Sequence, residues 1–330
     1  MNIGSLEKEI FQKHSEKEFE QLCLEIFRLQ AEHNRVYKAF IENLGVAPQG
    51  IKKLSGIPFL PIQFFKSHKV TTGEWKEEIV FSSSATTGSV TSKHYVKSKG
   101  IYVKSFTEGF RHFYGSHLDY TFLALLPSYL EREGSSLIFM MEQFVEDTIQ
   151  KGSGFFLTAK EGLFARLDQL DKERKKIILF GVTFALLDLA ETHAQKLPAG
   201  VVVMETGGMK GRRKEMIREE LHHKLEESFG VPSIYSEYGM TELLSQAYSK
   251  GDGVFECPPW MKILIRDIYD PLTLQETGQR GGINVIDLAN LYSCSFIATQ
   301  DIGILRDGGS FLVLGRFDHS DIRGCNLLIA

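Results

Sequence analysis

The stretch FSSSATTGSVTSKHYV, residues 81–96, concentrates serine and threonine hydroxyls around Gly88 and carries Lys93 near its end. The backbone N–H groups and hydroxyls of such a loop can surround a phosphate, and a lysine supplies positive charge. The loop is not a P-loop, because Gly88 is followed by Ser-Val-Thr-Ser-Lys and no Gly-Lys pair occurs. Taken alone, a run of this composition is more often a solvated turn between two strands.

Four further stretches combine glycines with residues that can bind a nucleotide or a metal ion. They are ETGGMKG (205–211), YSEYGMTE (235–242), TQDIG (299–303) and GRFDHSDIRG (315–324). In the first, an apolar strand runs into paired glycines, which leave bare backbone where a flat base can lie. In the second, the threonine and glutamate are also explained as cap residues of a helix that begins there.

The elements that must position these motifs are indicated by hydrophobic periodicity. Residues 5–44 predict two amphipathic helices, and from residue 57 onward short apolar runs alternate with helix-like windows such as 212–229. Buried strands that alternate with helices predict an α/β fold with at least partly parallel sheets. The later segment DIGILRDGGSFLVLGRFD predicts a β-hairpin around its Asp-Gly-Gly turn.

Composition narrows the class of protein. The 330 residues are 43% hydrophobic and 24% charged, as in ordinary globular proteins, and a net charge of −4 excludes the basic excess typical of nucleic-acid binding. No segment reaches the ~18 apolar residues of a membrane span, and the first residues are rich in Glu and Lys, so we expect a cytoplasmic protein. The histidines lack metal-ligand spacing.

The four cysteines lie far apart and form no CxxC pair, which predicts free thiols rather than a disulfide framework or a structural zinc site. They are Cys23, Cys257, Cys294 and Cys325. A free cysteine is more often a small buried hydrophobe than a nucleophile.

Five collinear motifs carry a family resemblance. The loop SSATTG…SK resembles the SSGTTG…K phosphate loop of the adenylate-forming enzymes, and the four stretches above match further motifs of that superfamily in the same order. Within the superfamily, the segments IPFLPIQFFKSHKV, LLPSYLEREGSSLIFMM, TGGMKGR and RGCNLLI resemble the LuxE-type acyl-protein synthetases. The resemblance covers essentially the whole chain.

The resemblance implies a fold and its division into regions. The fold is the large α/β domain of adenylate-forming enzymes, with mixed and parallel sheets flanked by helices and a small β-rich C-terminal part. The swinging C-terminal domain of the superfamily is expected to be absent or vestigial. We expect a helical N-terminal cap (1–50), an adenylate-forming domain (51–314) and a hinge-like tail (315–330).

The resemblance also implies residue roles in ATP binding. The leaving phosphates would contact Ser83, Ser84, Thr86, Thr87, Gly88 and Lys93. Adenine would lie against Gly207 and Gly208 and stack on Tyr238, beside Gly239. Two positions depart from the family pattern, since Ala85 and Gln300 stand where the family has glycine.

The remaining roles concern chemistry. Thr241 would donate to the α-phosphate, Glu242 would bind Mg²⁺, and Asp301 with Arg316 would hold the ribose. Cys325 would accept the acyl group, with Cys257 a weaker candidate. Apolar side chains of TFLALLPSYL and SSLIFMM, both expected on strands, would line the acyl pocket.

The sequence therefore predicts a ligase that uses ATP and Mg²⁺ to convert a fatty acid to an acyl-adenylate. The acyl group would pass to Cys325 and then to an acyl reductase or another acyl-accepting protein. A short acid-CoA ligase of the phenylacetate type is an alternative, with coenzyme A as acceptor. A degenerate protein that binds a nucleotide or acyl group without catalysis is another, which Ala85 and Gln300 make conceivable.

Overall fold

The computed structural model describes residues 3–83, 90–126, 134–156, 162–192, 196–208 and 216–317. Five residues with individually predicted roles lie outside these ranges, namely Ser84, Thr86, Thr87, Gly88 and Cys325. Residues 127–130 of TFLALLPSYL and residues 318–330 of the expected hinge-like tail lie outside them as well. Their roles stay predictions.

The described α-helices are distributed along the chain up to residue 229. They are α1 (Ile3–Glu9), α2 (Glu16–His33), α3 (Arg35–Asn43), α4 (Phe64–Ser67), α5 (Lys99–Tyr114), α6 (Ser136–Asp147), α7 (Leu163–Lys172), α8 (Thr183–Thr192) and α9 (Arg218–Phe229).

The described strands are denser toward the C-terminal end. They are β1 (Leu60–Pro61), β2 (Ile79–Ser82), β3 (Lys93–Val96), β4 (Tyr120–Leu125), β5 (Gly154–Phe156), β6 (Lys176–Val182), β7 (Val202–Thr206), β8 (Tyr235–Tyr238), β9 (Ala247–Ser249), β10 (Val254–Glu256), β11 (Met261–Arg266), β12 (Arg280–Asp287), β13 (Phe296–Leu305) and β14 (Phe311–Arg316).

The N-terminal segment forms three helices, where the sequence predicted two. The difference is a helix start at Ser15, whose hydroxyl accepts from the backbone N–H of Glu18 while the Glu18 carboxylate accepts from Ser15. This capping box begins a new helix after α1 ends at Glu9. Asn34 then ends α2 and caps α3, because its Oδ1 accepts from the N–H groups of Val36 and Tyr37.

The chain divides into two compact units. The first unit comprises Met1–Ser105, Thr241–Ser245 and Glu256–Ala330, and the second comprises Phe106–Met240 and Gln246–Phe255.

The second unit contains a mostly parallel sheet, as the alternation of strands and helices predicted. Strands β5, β4, β6, β7 and β8 are parallel neighbours in that order, and β9 pairs antiparallel with β8. Aromatic rings pack between this sheet and its helices, with Phe122 and Phe144 stacked at 5.1 Å between centroids. The carboxyl ends of β7 and β8 lie side by side, which places the motifs that follow them at one edge.

The first unit is mostly antiparallel. Strands β11, β12, β13 and β14 pair in sequence, and β1 adds to β13 in parallel. The predicted β-hairpin is confirmed as β13 and β14, with Gly308 and Gly309 at positive φ in the turn between them. Phe296 forms the centre of an aromatic core with Phe27 and Tyr37, at 6.1 and 6.3 Å between centroids.

One predicted strand is wrong. The residues of SSLIFMM form helix α6, which Ser135 begins by accepting from the N–H of Ile138. The apolar side chains Ile138, Met141 and Phe144 recur at helical spacing and are buried on one face. A short apolar run of this kind fits both a strand and a buried helix, and the N-cap decides between them.

None of the described helices is long and apolar enough to span a membrane.

Candidate active site

The two ends of the hydroxyl-rich loop are held together in the first unit. Strands β2 and β3 pair antiparallel up to Ser82 and Lys93. Beyond them, the Ser83 N–H donates to the Ser92 carbonyl at 3.0 Å, and the Ser92 N–H donates to the Ser83 hydroxyl at 2.9 Å. The residues that flank positions 84–89 are therefore held as a closed pair of strands, and the Ser83 hydroxyl that was expected on a phosphate takes part in closing it.

Lys93 borders a cationic cavity. The cavity has a volume of about 460 Å³ and is lined by Lys66, His68, Lys69 and Lys93, together with the hydroxyls of Ser67 and Thr91. Lys69 is paired with Glu77 at 2.9 Å, so Lys66 and Lys93 are the lysines of this set available for an anion. The cluster comes from KSHK (66–69), the end of the segment IPFLPIQFFKSHKV, to which the sequence assigned no role in binding.

Thr241 and Glu242 lie in a turn, and no helix begins there. Two buried side chains, one at the end of β12 and one three residues beyond it, hold this turn through its backbone. The Asp287 carboxylate accepts from the N–H groups of Leu244 and Ser245, both at 2.9 Å, and from the Ser245 hydroxyl at 2.6 Å. Asn290 donates to the Glu242 carbonyl at 2.7 Å. The interpretation of Thr241 and Glu242 as helix cap residues is therefore wrong.

The Glu242 carboxylate is buried, with 6% of the residue exposed. It lies beside Ser92, near the C-terminal end of the hydroxyl-rich loop. Burial raises the pKa of Glu242. This effect outweighs the hydrogen bond from the Ser92 hydroxyl and the nearby charges of Arg316 and Lys66, which lower the pKa. Because burial penalises the ionised form, a cation beside the carboxylate would stabilise it. No group of three or more His, Cys, Asp or Glu in the described ranges could hold a metal ion. Glu242 therefore fits Mg²⁺ only where phosphate oxygens supply the other ligands.

His94 connects strand β3 to the same turn. Its Nδ1 donates to the Thr241 carbonyl at 2.9 Å, and its Nε2 lies 2.8 Å from the Ser293 hydroxyl. Burial lowers the pKa of His94 to about 4, despite the bond to the Thr241 carbonyl. The imidazole is therefore neutral near pH 7, with its proton on Nδ1 and its Nε2 accepting from Ser293.

The two residues predicted to hold the ribose are paired with each other. Asp301 on β13 and Arg316 on β14 are register partners, and the Arg316 Nε donates to Oδ1 of Asp301 at 3.1 Å. The Asp301 side chain is 8% exposed and that of Arg316 is 79% exposed. The hairpin thus fixes a buried carboxylate and places a solvent-exposed guanidinium beside it.

The adenine candidates lie in the second unit, at the adjacent ends of β7 and β8. Gly207 has φ of +74°, and a Cβ added to Gly208 would meet no atom of the described residues within 4 Å. Tyr238 is 8% exposed, and its ring packs edge-on against Phe255 at 5.9 Å between centroids. A Cβ on Gly239 would meet Oε1 of Glu237, so the end of the Glu237 side chain would have to shift to admit a larger residue there.

A buried ionic network lies just before Gly207. Arg218, at the start of α9, donates to Glu205 on β7 and, at 3.2 Å, to the Ser236 hydroxyl on β8. Thr183 also donates to Glu205, at 2.9 Å. Burial opposes ionisation of Glu205, but Arg218 and the donors from His222 and Ser236 outweigh it and lower its pKa. The network joins α9 to β7 and β8, the two strands that precede the candidate glycines.

The cysteines within the described ranges are free, as predicted. Cys23 and Cys294 are fully buried, and burial raises the pKa of Cys294 to about 12. Cys257 is partly buried, and burial raises the pKa of its thiol as well. These thiols are therefore poor nucleophiles near neutral pH.

Comparison with known proteins bears on the fold and the activity class. No protein-family model matches the chain. The chain is 24% identical to the long-chain-fatty-acid–luciferin-component ligase of Vibrio harveyi. The match covers 89% of this chain and 82% of that ligase. The resemblance to LuxE-type synthetases is therefore confirmed. This relative is named as a ligase, which is the class of enzyme that the sequence predicted.

Two solved structures extend the comparison. The chain superposes on ATP-bound MatB from Rhodopseudomonas palustris with a TM-score of 0.55 at 16% identity, matching 74% of the chain and 49% of MatB. It therefore spans about half the length of MatB. Its match to 2-hydroxyisobutyryl-CoA ligase in complex with 2-HIB-AMP and CoA has a TM-score of 0.61 at 15% identity, covering 93% of this chain and 72% of the ligase. The chain has the adenylate-forming fold. The predicted fold class is confirmed.

Proposed function

We propose that the protein activates a long-chain fatty acid with ATP, forming an acyl-adenylate and releasing pyrophosphate. The acyl group then passes to Cys325 and on to an acyl-accepting protein such as a reductase. The observation that carries the first step is the buried Glu242 carboxylate bonded to Ser92, the residue that closes the hydroxyl-rich loop. The curated relative, named as a fatty-acid ligase, supports the substrate class.

In the first step a carboxylate oxygen of the acid attacks the α-phosphorus of ATP. The bond from that phosphorus to the bridging oxygen breaks, and pyrophosphate leaves with the electron pair. Negative charge develops on the phosphates, so fixed donors and cations favour the reaction. We assign the hydroxyl of Thr241 to the α-phosphate and the ammonium groups of Lys93 and Lys66 to the leaving phosphates.

The same proposal assigns the nucleoside. Gly207, Gly208, Gly239 and Tyr238 bind adenine, and Asp301 with Arg316 binds the ribose hydroxyls. Glu242 would hold Mg²⁺, which offsets phosphate charge when bound. The roles of Ser84, Thr86, Thr87 and Gly88 on the phosphates belong to the proposal as well, as does a cytoplasmic location.

In the second step the Cys325 thiolate attacks the acyl carbon, and the bond to AMP breaks, leaving a thioester. The high pKa values of the thiols of Cys23, Cys257 and Cys294 support Cys325 as the acceptor. A thioester keeps the acyl group transferable to a partner protein.

The test of both steps is incubation with ATP, Mg²⁺ and a panel of radiolabelled fatty acids, followed by denaturing gel electrophoresis. We expect label that hydroxylamine removes and that Cys325→Ser abolishes, with Cys257→Ser as the matched control that retains it. Absence of label and of AMP with every acid would contradict the proposal.

A coenzyme A ligase is the second candidate, because the matched 2-hydroxyisobutyryl-CoA ligase structure contains CoA and covers 93% of this chain. AMP release that requires coenzyme A and is unchanged in Cys325→Ser would select it over the protein-acylating reaction.

A further inference from the structure

His94 directly follows Lys93 on strand β3, and the two side chains leave the strand on opposite faces. Lys93 is exposed beside the cationic cavity, whereas His94 is 1% exposed and reaches the Thr241 carbonyl. One short strand therefore carries both a phosphate candidate and a contact to the turn of Thr241 and Glu242.

The bond from His94 acts on one particular peptide group. The Thr241 carbonyl belongs to the peptide unit that joins Thr241 to Glu242, and that unit is planar. Rotation of this plane changes ψ of Thr241 and φ of Glu242, and any part of the change that these two dihedrals do not compensate alters the direction of one side chain relative to the other. A fixed donor at the carbonyl oxygen opposes that rotation.

The turn is held from its other side by different residues. Asn290 donates to the Glu242 carbonyl, and Asp287 accepts from the N–H groups of Leu244 and Ser245. These bonds fix residues 242–245, while the bond from His94 fixes the peptide on the Thr241 side.

The imidazole is itself held in place. Phe65 packs edge-on against it at 5.6 Å between centroids, and the Ser293 hydroxyl lies 2.8 Å from Nε2. The hydrogen bond to Nε2 sets the tautomer of the ring and the direction in which Nδ1–H points. Histidines that bind metal ions are oriented in the same way, by a partner on the ring nitrogen that does not bind the metal.

We propose that His94, oriented by Ser293, is a positioning residue that sets the Thr241–Glu242 peptide for acyl-adenylate formation. The inference rests on the proposed function for its catalytic consequence. His94 touches neither substrate nor metal, and it acts through the backbone of Thr241.

Two conservative variants separate the contacts of the ring. The side-chain nitrogen of asparagine lies near the position of Nδ1, so His94→Asn keeps a donor for the Thr241 carbonyl. The side-chain amide of glutamine lies near Nε2, so His94→Gln keeps the Ser293 contact and loses the bond to Thr241. Both replace the ring by an amide.

The expected results differ between these variants. His94→Gln should lower kcat for acid-dependent ATP–pyrophosphate exchange about 10- to 100-fold, the usual effect of losing an orienting partner. KM for the acid should change less than about threefold. His94→Asn should stay within about threefold of wild type in kcat. Amide hydrogen exchange in residues 241–245 should accelerate in His94→Gln and not in His94→Asn.

Hydrogen exchange keeps the two proposals separable. If the wild-type protein shows no ATP–pyrophosphate exchange with any acid, the proposed function is overturned. The protection of the amides of residues 241–245 from hydrogen exchange would still decide the role of His94. Equal protection and equal kcat in both variants would overturn the positioning role. If His94→Gln is unfolded at the assay temperature, Ser293→Ala decides. In Ser293→Ala, a fall in kcat of threefold or more together with faster amide hydrogen exchange in residues 241–245 supports the positioning role of His94. Wild-type kcat and wild-type hydrogen exchange in this variant would overturn it.

Discussion

The Nε of Arg316 donates to Oδ1 of Asp301 at 3.1 Å, across the hairpin that the Asp-Gly-Gly turn closes. Both residues were assigned to the ribose from separate motifs, 15 residues apart in the sequence. Their pairing means that the exposed guanidinium orients the buried carboxylate. An ion pair with one partner this exposed contributes little to folding, at most about 1 kcal/mol.

We therefore expect Asp301→Asn to affect nucleotide binding much more than stability. Hydrogen bonds to charged groups contribute about 1.5–3 kcal/mol, so Kd for ATP should rise about 10- to 100-fold. The free energy of unfolding should change by less than about 1 kcal/mol. Calorimetric titration with ATP and urea unfolding measure the two quantities. Asp307→Asn, on the exposed turn of the same hairpin, should leave Kd unchanged.

Lys66→Ala should weaken binding of pyrophosphate and leave binding of AMP unchanged, because AMP lacks the phosphates that the cationic cavity would hold. We expect KM for pyrophosphate in the exchange reaction to rise about fivefold, which corresponds to about 1 kcal/mol. The effect should shrink at high salt, since Lys66 is exposed. The exposed Lys38→Ala is the control. Equal losses of AMP and pyrophosphate binding would show that Lys66 acts elsewhere.

Glu205→Gln should destabilise the second unit, because it leaves the Arg218 guanidinium partly buried without its carboxylate. Removing one partner of a buried ion pair costs about 3–5 kcal/mol, and the Arg218 side chain is 24% exposed, so we expect about 2–4 kcal/mol. Glu191→Gln breaks the exposed pair with Lys224 and should cost less than about 1 kcal/mol. Chemical denaturation compares the variants, and equal losses would contradict a buried network.

The same carboxylate predicts a dependence of stability on pH. The pKa of Glu205 is lower in the folded protein than its ordinary value of 4.5, so the unfolded state binds a proton first as pH falls. The stability that Glu205 contributes is fully present above about pH 5 and is lost as pH falls through the lower, folded pKa. The difference in unfolding free energy between wild type and Glu205→Gln should therefore be constant at neutral pH and shrink below pH 4.5. A difference that grows on acidification would contradict this sign.

Local patterns in the sequence predicted the elements that depend on neighbouring residues. The Asp-Gly-Gly hairpin and the apolar strands β4 and β7 are such cases, because turn chemistry and hydrophobic runs are encoded within a few residues. Helix α6 was assigned as a strand, since a short apolar run does not distinguish the two until its N-cap at Ser135 is recognised.

The contacts that hold the candidate site could not be predicted in the same way. His94 lies 147 residues before Thr241, and Asp287 lies 43 residues after Leu244. No local period links residues at such separations. His94 was considered only as a metal ligand and dismissed on spacing, although a buried imidazole between two backbone segments needs no such spacing. Glu205 lies in the motif ETGGMKG, but its partner Arg218 follows 13 residues later, on α9.

Acid-dependent ATP–pyrophosphate exchange tests the central claim most directly, because it needs only the adenylation half-reaction and neither Cys325 nor a partner. With radiolabelled pyrophosphate, ATP, Mg²⁺ and a series of straight-chain fatty acids, we expect label in ATP that depends on the acid. The rate should fall at least about 100-fold in Glu242→Gln, which keeps the shape of the side chain and removes its charge. No exchange with any acid, or equal exchange in Glu242→Gln, would contradict the account.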